Sequence, residues 1–406
     1  MSWRTVRSAL TALMSGAGGE FAVEFAGGEP LLEVTTLRRA VEFVETTRPS
    51  GTGVEYSLTT NGTLLTPALF GFLCSHEFTI RISFDGVPAA QSHRGEWTYR
   101  VLDGLLERLR DHDPTGFARH VKVVVTVLPS TIPLLGASVR YLMAKGVQTI
   151  EIGPRFTWDP DWAPSCREEL ERQMGAVLQT SYEHWCSTGK VPVEFLAGPP
   201  PLKCRREMDF LCGAPWATSL CVDPGGRAWA CPVFMTSLAQ LPPLALEASR
   251  ALDLGAIADI SFQRRLAGLP ERVARLRLFT NGLGKRSSYG ACAQCRFAES
   301  CRVCPASISH NPNNRDPDLI PDFMCSFSYL SLAARERFHE MTGGARSAAW
   351  SSEMSGALGR LEAAVRESVA ALQSSRSAAP AHGAHRPRRE NRGRPRRSSN
   401  GRPTPR

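Results

Sequence analysis

Eight cysteines in the C-terminal half constrain this chain more than any other feature. They are Cys212, Cys221, Cys231, Cys292, Cys295, Cys301, Cys304 and Cys325, and within them runs the tight series Cys292-x2-Cys295-x5-Cys301-x2-Cys304. Thiolates at this density are soft ligands for zinc or for iron–sulfur clusters, and a cubane takes four of them. Eight thiols suffice for two [4Fe–4S] clusters or for two structural zinc sites, and the count alone leaves both open. Twelve cysteines in 406 residues is too sparse for a small disulfide scaffold. The first residues, MSWRTVRSAL, hold no apolar core of a secretory signal, and no run of about 18 apolar residues occurs. A reducing cytoplasm without a membrane partner is the expected setting, and it favours thiols as metal ligands.

The formal net charge of +9 belongs to the tail. Residues 374–406 contain ten arginines and one glutamate, whereas the remaining 373 residues balance 38 basic against 38 acidic side chains. The folded body thus gives no electrostatic reason to expect nucleic acid as a partner. The Arg/Pro/Ser/Gly-rich tail is expected to be disordered.

Upstream of the cysteines, strand and helix patterns alternate. Strands are expected at 21–25, 54–59, 78–84, 121–127 and 149–152. Helices are expected near 2–14, 34–47, 67–74, 99–111, 132–145 and 165–187. Such alternation predicts an α/β fold with a parallel sheet and helical crossovers. A Pro-Pro-Pro segment in 190–203 reads as a linker, and helices are expected near 326–340 and 353–373. Polar and glycine residues gather at the C-terminal ends of the strands, where parallel sheets hold ligands. They are Gly27-Gly28-Glu29-Pro30, Thr60-Asn61-Gly62, Ser83-Phe84-Asp85-Gly86 and Gly153-Pro154. Two glycines allow close approach to the backbone, and a glutamate can accept hydrogen bonds from an ammonium group. His93 and Arg94 follow the third strand on the same rim. Arg94 could meet a carboxylate there, although a solvated loop is the commoner place for such an arginine.

The motifs GGEPLL (27–32), TNGTLL (60–65), ISFDG (82–86) and CVDPGGRAWACPVF (221–234), together with the Cys292–Cys325 series, resemble the radical S-adenosylmethionine enzymes that carry a SPASM domain. The resemblance covers about residues 1–340. It implies a partial (β/α)6 barrel over 1–190, a SPASM iron–sulfur domain over 204–330, a helical extension over 331–373 and the tail. It also implies S-adenosylmethionine (AdoMet) as cofactor. Gly27, Gly28, Glu29 and Pro30 would bind its methionyl ammonium, and Asn61, Ser83 and Asp85 would line the rest of the pocket. Two auxiliary [4Fe–4S] clusters follow from it: one on Cys212, Cys231 and Cys304, with Cys221 a candidate for its open fourth position, the other on Cys292, Cys295, Cys301 and Cys325. The remaining cysteines, Cys74, Cys166, Cys186 and Cys204, fall outside this pattern.

The implied activity is radical modification of a peptide or protein, with a reducing donor such as flavodoxin or ferredoxin. Three departures from the family pattern bear on it. The family's Cys-x3-Cys-x2-Cys loop and the strand before it are absent, so the barrel is expected to lack its first strand and the chain to begin late. Cys301-x2-Cys304 is one residue shorter than the family's usual spacing. Pro232 stands where the sulfatase-maturing branch carries an aspartate base, which disfavours formylglycine formation. No residue is assigned as catalytic. The alternative is a degenerate paralogue serving as an electron-transfer or peptide-binding subunit.

Overall fold

The computed structural model describes residues 1–343 apart from 17–18, 158, 202–211, 217–218, 238–239 and 281. Cys204, the expected helix at 353–373 and the basic tail lie outside the described residues.

Five strands form one parallel sheet in chain order: β1 (Glu20–Phe25), β2 (Gly53–Thr60), β3 (Thr79–Ser83), β4 (Val121–Val127) and β5 (Ile150–Pro154). Helices Val34–Thr47, Pro67–Ser75, Thr98–His112 and Leu135–Ala144 form the crossovers, and Pro164–Thr188 follows β5. This is the α/β architecture expected from the alternating pattern. The period-2 side-chain alternation of a strand makes the two faces of the sheet different. Phe21, Val23, Leu58, Ile80, Ile82, Val123, Val125, Ile150 and Ile152 are buried in the main core beneath the helices. The other face carries Glu20, Glu24, Glu55, Ser57, Thr59, Arg81, Ser83, Lys122, Thr126 and Glu151, none of them buried. A parallel sheet is usually apolar on both faces. Here one face is polar and open, with Arg81 3.5 Å from Glu151 and Lys122 3.2 Å from Glu194.

The segment expected as a linker instead closes the sheet edge. Val193 bridges Ile150 in parallel, and Val193 and Leu196 are fully buried, because their apolar side chains fill the gap beside β5. A second core lies under the cysteine module, around Ala228, Phe234, Leu252, Leu254, Phe279 and Ile308. Its antiparallel sheet joins β6 (Cys221–Val222), β7 (Arg227–Trp229) and β8 (Asp253–Ala256). The helix Asp322–Met341 spans both cores. It carries Cys325, yet its Phe323, Phe327, Leu330, Ala334 and Phe338 belong to the main core beneath the sheet. Among the described residues no helix is long and apolar enough to cross a membrane.

Candidate functional site

The glycine turn after β1 is held from below by Glu29. Its carboxylate accepts hydrogen bonds from the Thr60 hydroxyl (2.7 Å), the Asn61 amide (2.8 Å) and the Leu31 amide (3.1 Å). One carboxylate thus joins the C-terminal ends of β1 and β2. It also caps the 3-10 turn Pro30–Glu33, whose first residue is a proline with no amide to satisfy. Gly27 has φ +135°, and a Cβ on either Gly27 or Gly28 would meet nothing within 4 Å. The turn is therefore open on its outer side. Asn61 beside it is exposed, and its Oδ1 accepts from the Thr63 amide and hydroxyl. Ser83 lies on the open face at the end of β3.

Asp85 is placed differently from the rest. It is 1 % exposed, and its carboxylate is spent inside the protein. It accepts from Arg94 Nε (2.5 Å) and Nη2 (3.2 Å) and from the Thr126 amide (2.7 Å), with His93 Nε2 at 3.2 Å. The structure thus draws Gly27, Gly28, Glu29, Pro30, Asn61 and Ser83 to the rim and withdraws Asp85 beneath it. Arg94 takes the less common of its two expected outcomes: it meets a carboxylate, clamped to Asp85 and to the Thr126 hydroxyl at 2.8 Å. The physical reason is charge pairing: a carboxylate this deeply buried must be matched.

The eight thiols separate into two groups of four. Mutual thiolate repulsion links Cys231 with Cys212, Cys304 and Cys221. A second set of repulsions links Cys292, Cys295, Cys301 and Cys325. Burial pushes Cys221 and Cys301 up to about 12 and Cys231 and Cys292 up to about 11, and neighbouring thiols add to the rise in these four. Among the described residues no three His, Cys, Asp or Glu groups converge closely enough to hold a single metal ion. Local sequence explains the placement. Cys231 precedes Pro232 at the start of the 3-10 turn Pro232–Phe234, and Cys304 precedes Pro305 at the start of helix Pro305–Ser309. Proline at the first helical position leaves the next amides free to point back. The Val233 and Phe234 amides reach Cys231, and those of Ala306 and Ser307 reach Cys304, each opposing the upward push of burial.

Three contributors were not legible as site residues. Ser287 donates to Cys325 Sγ at 3.2 Å. His310 Nδ1 and Nε2 each lie 3.0 Å from a carbonyl, those of Ala306 and Val233, stapling the Cys304 helix to the Cys231 turn. Glu24, on the open face of β1, lies close enough to Cys221 to raise its thiol further.

No family model matches the chain. It is 24% identical over 155 residues to an uncharacterized protein of Methanocaldococcus jannaschii, MJ0907, covering 37% of this chain and 51% of that protein. The chain thus spans about half the length of this curated relative. Solved structures match much further. The fold is that of the radical S-adenosylmethionine enzymes. One protein with this fold on which it superposes is anSMEcpe, a radical SAM/SPASM enzyme. In a form with bound AdoMet, anSMEcpe matches with a TM-score of 0.63 at 16% identity, over 90% of this chain and 89% of that one. In a form with AdoMet and a Kp18Cys peptide, the TM-score is 0.61 at 16% identity, over 85% and 91%.

Proposed function

We propose that this chain is a radical S-adenosylmethionine/SPASM protein acting on a peptide or protein side chain, with AdoMet on the barrel rim and two auxiliary [4Fe–4S] clusters. The observation that carries the reading is the glycine turn at the C-terminal end of β1, open on its outer side and fixed from below by the three hydrogen bonds that Glu29 accepts. Thiol-only donor sets are the chemistry that iron–sulfur clusters use, and the glycine turn is open to a ligand. Gly27 and Gly28 leave room for a ligand, and Glu29 fixes their turn. The Cys212, Cys221, Cys231 and Cys304 group would hold the nearer cluster, and the Cys292, Cys295, Cys301 and Cys325 group the farther one. The clusters supply one-electron chemistry, and AdoMet supplies the hydrogen-abstracting radical when it is reductively cleaved. The chain's own part is positional. Glu29 holds the rim turn, and Asp85 with Arg94 braces the loop after β3. Arg81, Lys122 and Glu151 keep the sheet face polar. Pro232, placed as the first residue of a helical turn, has no group to take a proton, which speaks against formylglycine formation. The AdoMet and peptide bound to anSMEcpe support these ligand classes.

Glu29→Ala is expected to weaken AdoMet binding about ten- to a hundredfold, the scale of lost hydrogen bonds to a charged group. Equilibrium dialysis with labelled AdoMet measures it, and unchanged affinity would remove the rim turn from the cofactor site.

A second reading rests on one sequence fact: the 406 residues contain no Cys-x3-Cys-x2-Cys. In that reading the chain transfers electrons or binds peptide without making a radical. The 406-residue chain, reconstituted and reduced with dithionite, is expected to form no 5′-deoxyadenosine from AdoMet. Product at the level of a complete enzyme, detected by chromatography, would refute the argument from the missing thiolates.

A further inference from the structure

Arg155 is the first residue beyond β5, at the rim end of the sheet. Its amide donates to the Val127 carbonyl at 3.1 Å, so the pairing of β4 with β5 runs on to it. Strand alternation therefore still decides its side. Ile150, Ile152 and Pro154 are buried on the core side, whereas Glu151, Gly153 and Arg155 are not buried. Arg155 thus shares the open polar face with Arg81, Ser83 and Thr126. That face is clear just before it, since a Cβ on Gly153 would meet nothing within 4 Å.

The guanidinium is held in place but not satisfied. Nη2 donates to Asp159 at 2.7 Å, and the other oxygen of that carboxylate accepts from the Asp161 amide at 3.1 Å. Nε is buried and meets no acceptor among the described residues. A buried donor without a partner costs stability and calls for an explanation. The Asp159 side chain is 4 % exposed and that of Arg155 39 %. With Nε shut in, the donors open to the face are those of the Nη end. Thr126, whose hydroxyl holds Arg94, is the register partner of Gly153. Gly153 and Arg155 are about 7 Å apart along the strand, so two guanidinium groups serve one corner of the face. An arginine fixed by one carboxylate, with its free end on a ligand face, is a fork for a second carboxylate.

We infer that Arg155 receives an acidic side chain of the peptide substrate and gives the site a preference for a carboxylate near the modified residue. This rests on the peptide-modifying reading of the barrel face. AdoMet is the other source of a carboxylate, and distance decides against it. Its carboxylate and ammonium share one carbon and lie within about 4 Å of each other. The glycine turn that would take the ammonium follows β1, four strands from β5 in the sheet order, about 19 Å along the sheet. A peptide lying across the face spans that distance.

The test uses the full chain with AdoMet and two pools of acetylated, amidated heptapeptides of random neutral sequence. One pool has a central glutamate, the other a central glutamine. Wild-type protein is expected to retain the glutamate pool about tenfold over the glutamine pool in ultrafiltration, the scale of a hydrogen bond to a charged group. Arg155→Gln is expected to retain the two alike. Equal retention, or none, by wild-type protein that binds AdoMet would overturn the inference and leave the cofactor reading of the rim intact. Wild-type protein that binds neither AdoMet nor peptide would overturn both. Loss of AdoMet affinity in Arg155→Gln with the pool ratio unchanged would assign the arginine to the cofactor and overturn the inference. If the variant leaves Asp159 unmatched and unfolds, wild-type protein decides by phenylglyoxal labelling of arginines and peptide mass spectrometry. Protection of Arg155 by the glutamate pool alone supports the contact, and labelling that neither pool changes overturns it.

Discussion

Anaerobic reconstitution will load about eight irons and eight sulfides per chain, and Cys231→Ala or Cys301→Ala will each remove about half. The halving follows from the two separate groups of four thiols, in which Cys231 interacts with Cys212, Cys221 and Cys304, and Cys301 with Cys292, Cys295 and Cys325. Metal binding at such sites is folding free energy, on the order of 10 kcal/mol for a four-thiolate zinc site. Each variant is therefore expected to unfold well below the loaded wild type. The effect on the metal-free protein has a defined sign. Burial raises Cys221 and Cys301 from 9.0 to about 12 and Cys231 and Cys292 to about 11. The folded metal-free state then holds protons that the unfolded chain releases above about pH 9, so its stability is present below that pH and is lost progressively up to about pH 12. The loaded protein, whose thiolates are bound to iron, should lack this loss over the same range. Thermal melts of both forms between pH 7 and 11, with iron and sulfide assays, check the argument. Stoichiometric zinc without sulfide, or complete loss of metal from one substitution, would contradict it.

The strand–helix rhythm was legible because short apolar, β-branched runs recur between segments of helical spacing. Val121–Val127 reads as buried and half-buried residues in turn, and the chain places it so. The glycine turn at 27–30 was legible as well, since its neighbours in sequence define it. Asp85 was not, because what decides its role lies far along the chain. The Thr126 amide that it accepts from is 41 residues away, and only the packing of β3 against β4 brings the two together. The Cys-Pro steps were visible in the sequence, but the module's short 3-10 turns have too little periodicity to announce a helical start. Similarly, the Asp322–Met341 helix belongs to two cores at once, and a boundary drawn from composition falls inside it.

The clamp beneath the rim makes the second large prediction. Arg94→Ala leaves the Asp85 carboxylate, 2 % exposed at its side chain, without its guanidinium. Breaking a buried pair from one side costs about 3–5 kcal/mol, which corresponds to a fall in Tm of about 10 °C for a domain of this size. The loss propagates locally. The Asp85 amide donates to Gln91 Oε1 (2.8 Å), Gln91 Nε2 to the Thr98 hydroxyl (3.0 Å), and that hydroxyl to the Gly95 carbonyl (2.6 Å). Released from the clamp, this chain frees the whole loop from 84 to 98 beside the open face. Gly86 adds a second constraint, because its φ is +92° and a Cβ there would lie 2.5 Å from Ser138 Cβ, so the loop has few alternative paths. Arg94→Lys keeps the charge but not the two-pronged contact, and should lose less. The decisive measurement is the double variant. Asp85→Asn with Arg94→Ala removes both charges together, and denaturant melts should find it more stable than Arg94→Ala alone, because no uncompensated buried charge remains. If the two losses simply add, Asp85 is not held by Arg94, and the rim loop owes its position to packing alone.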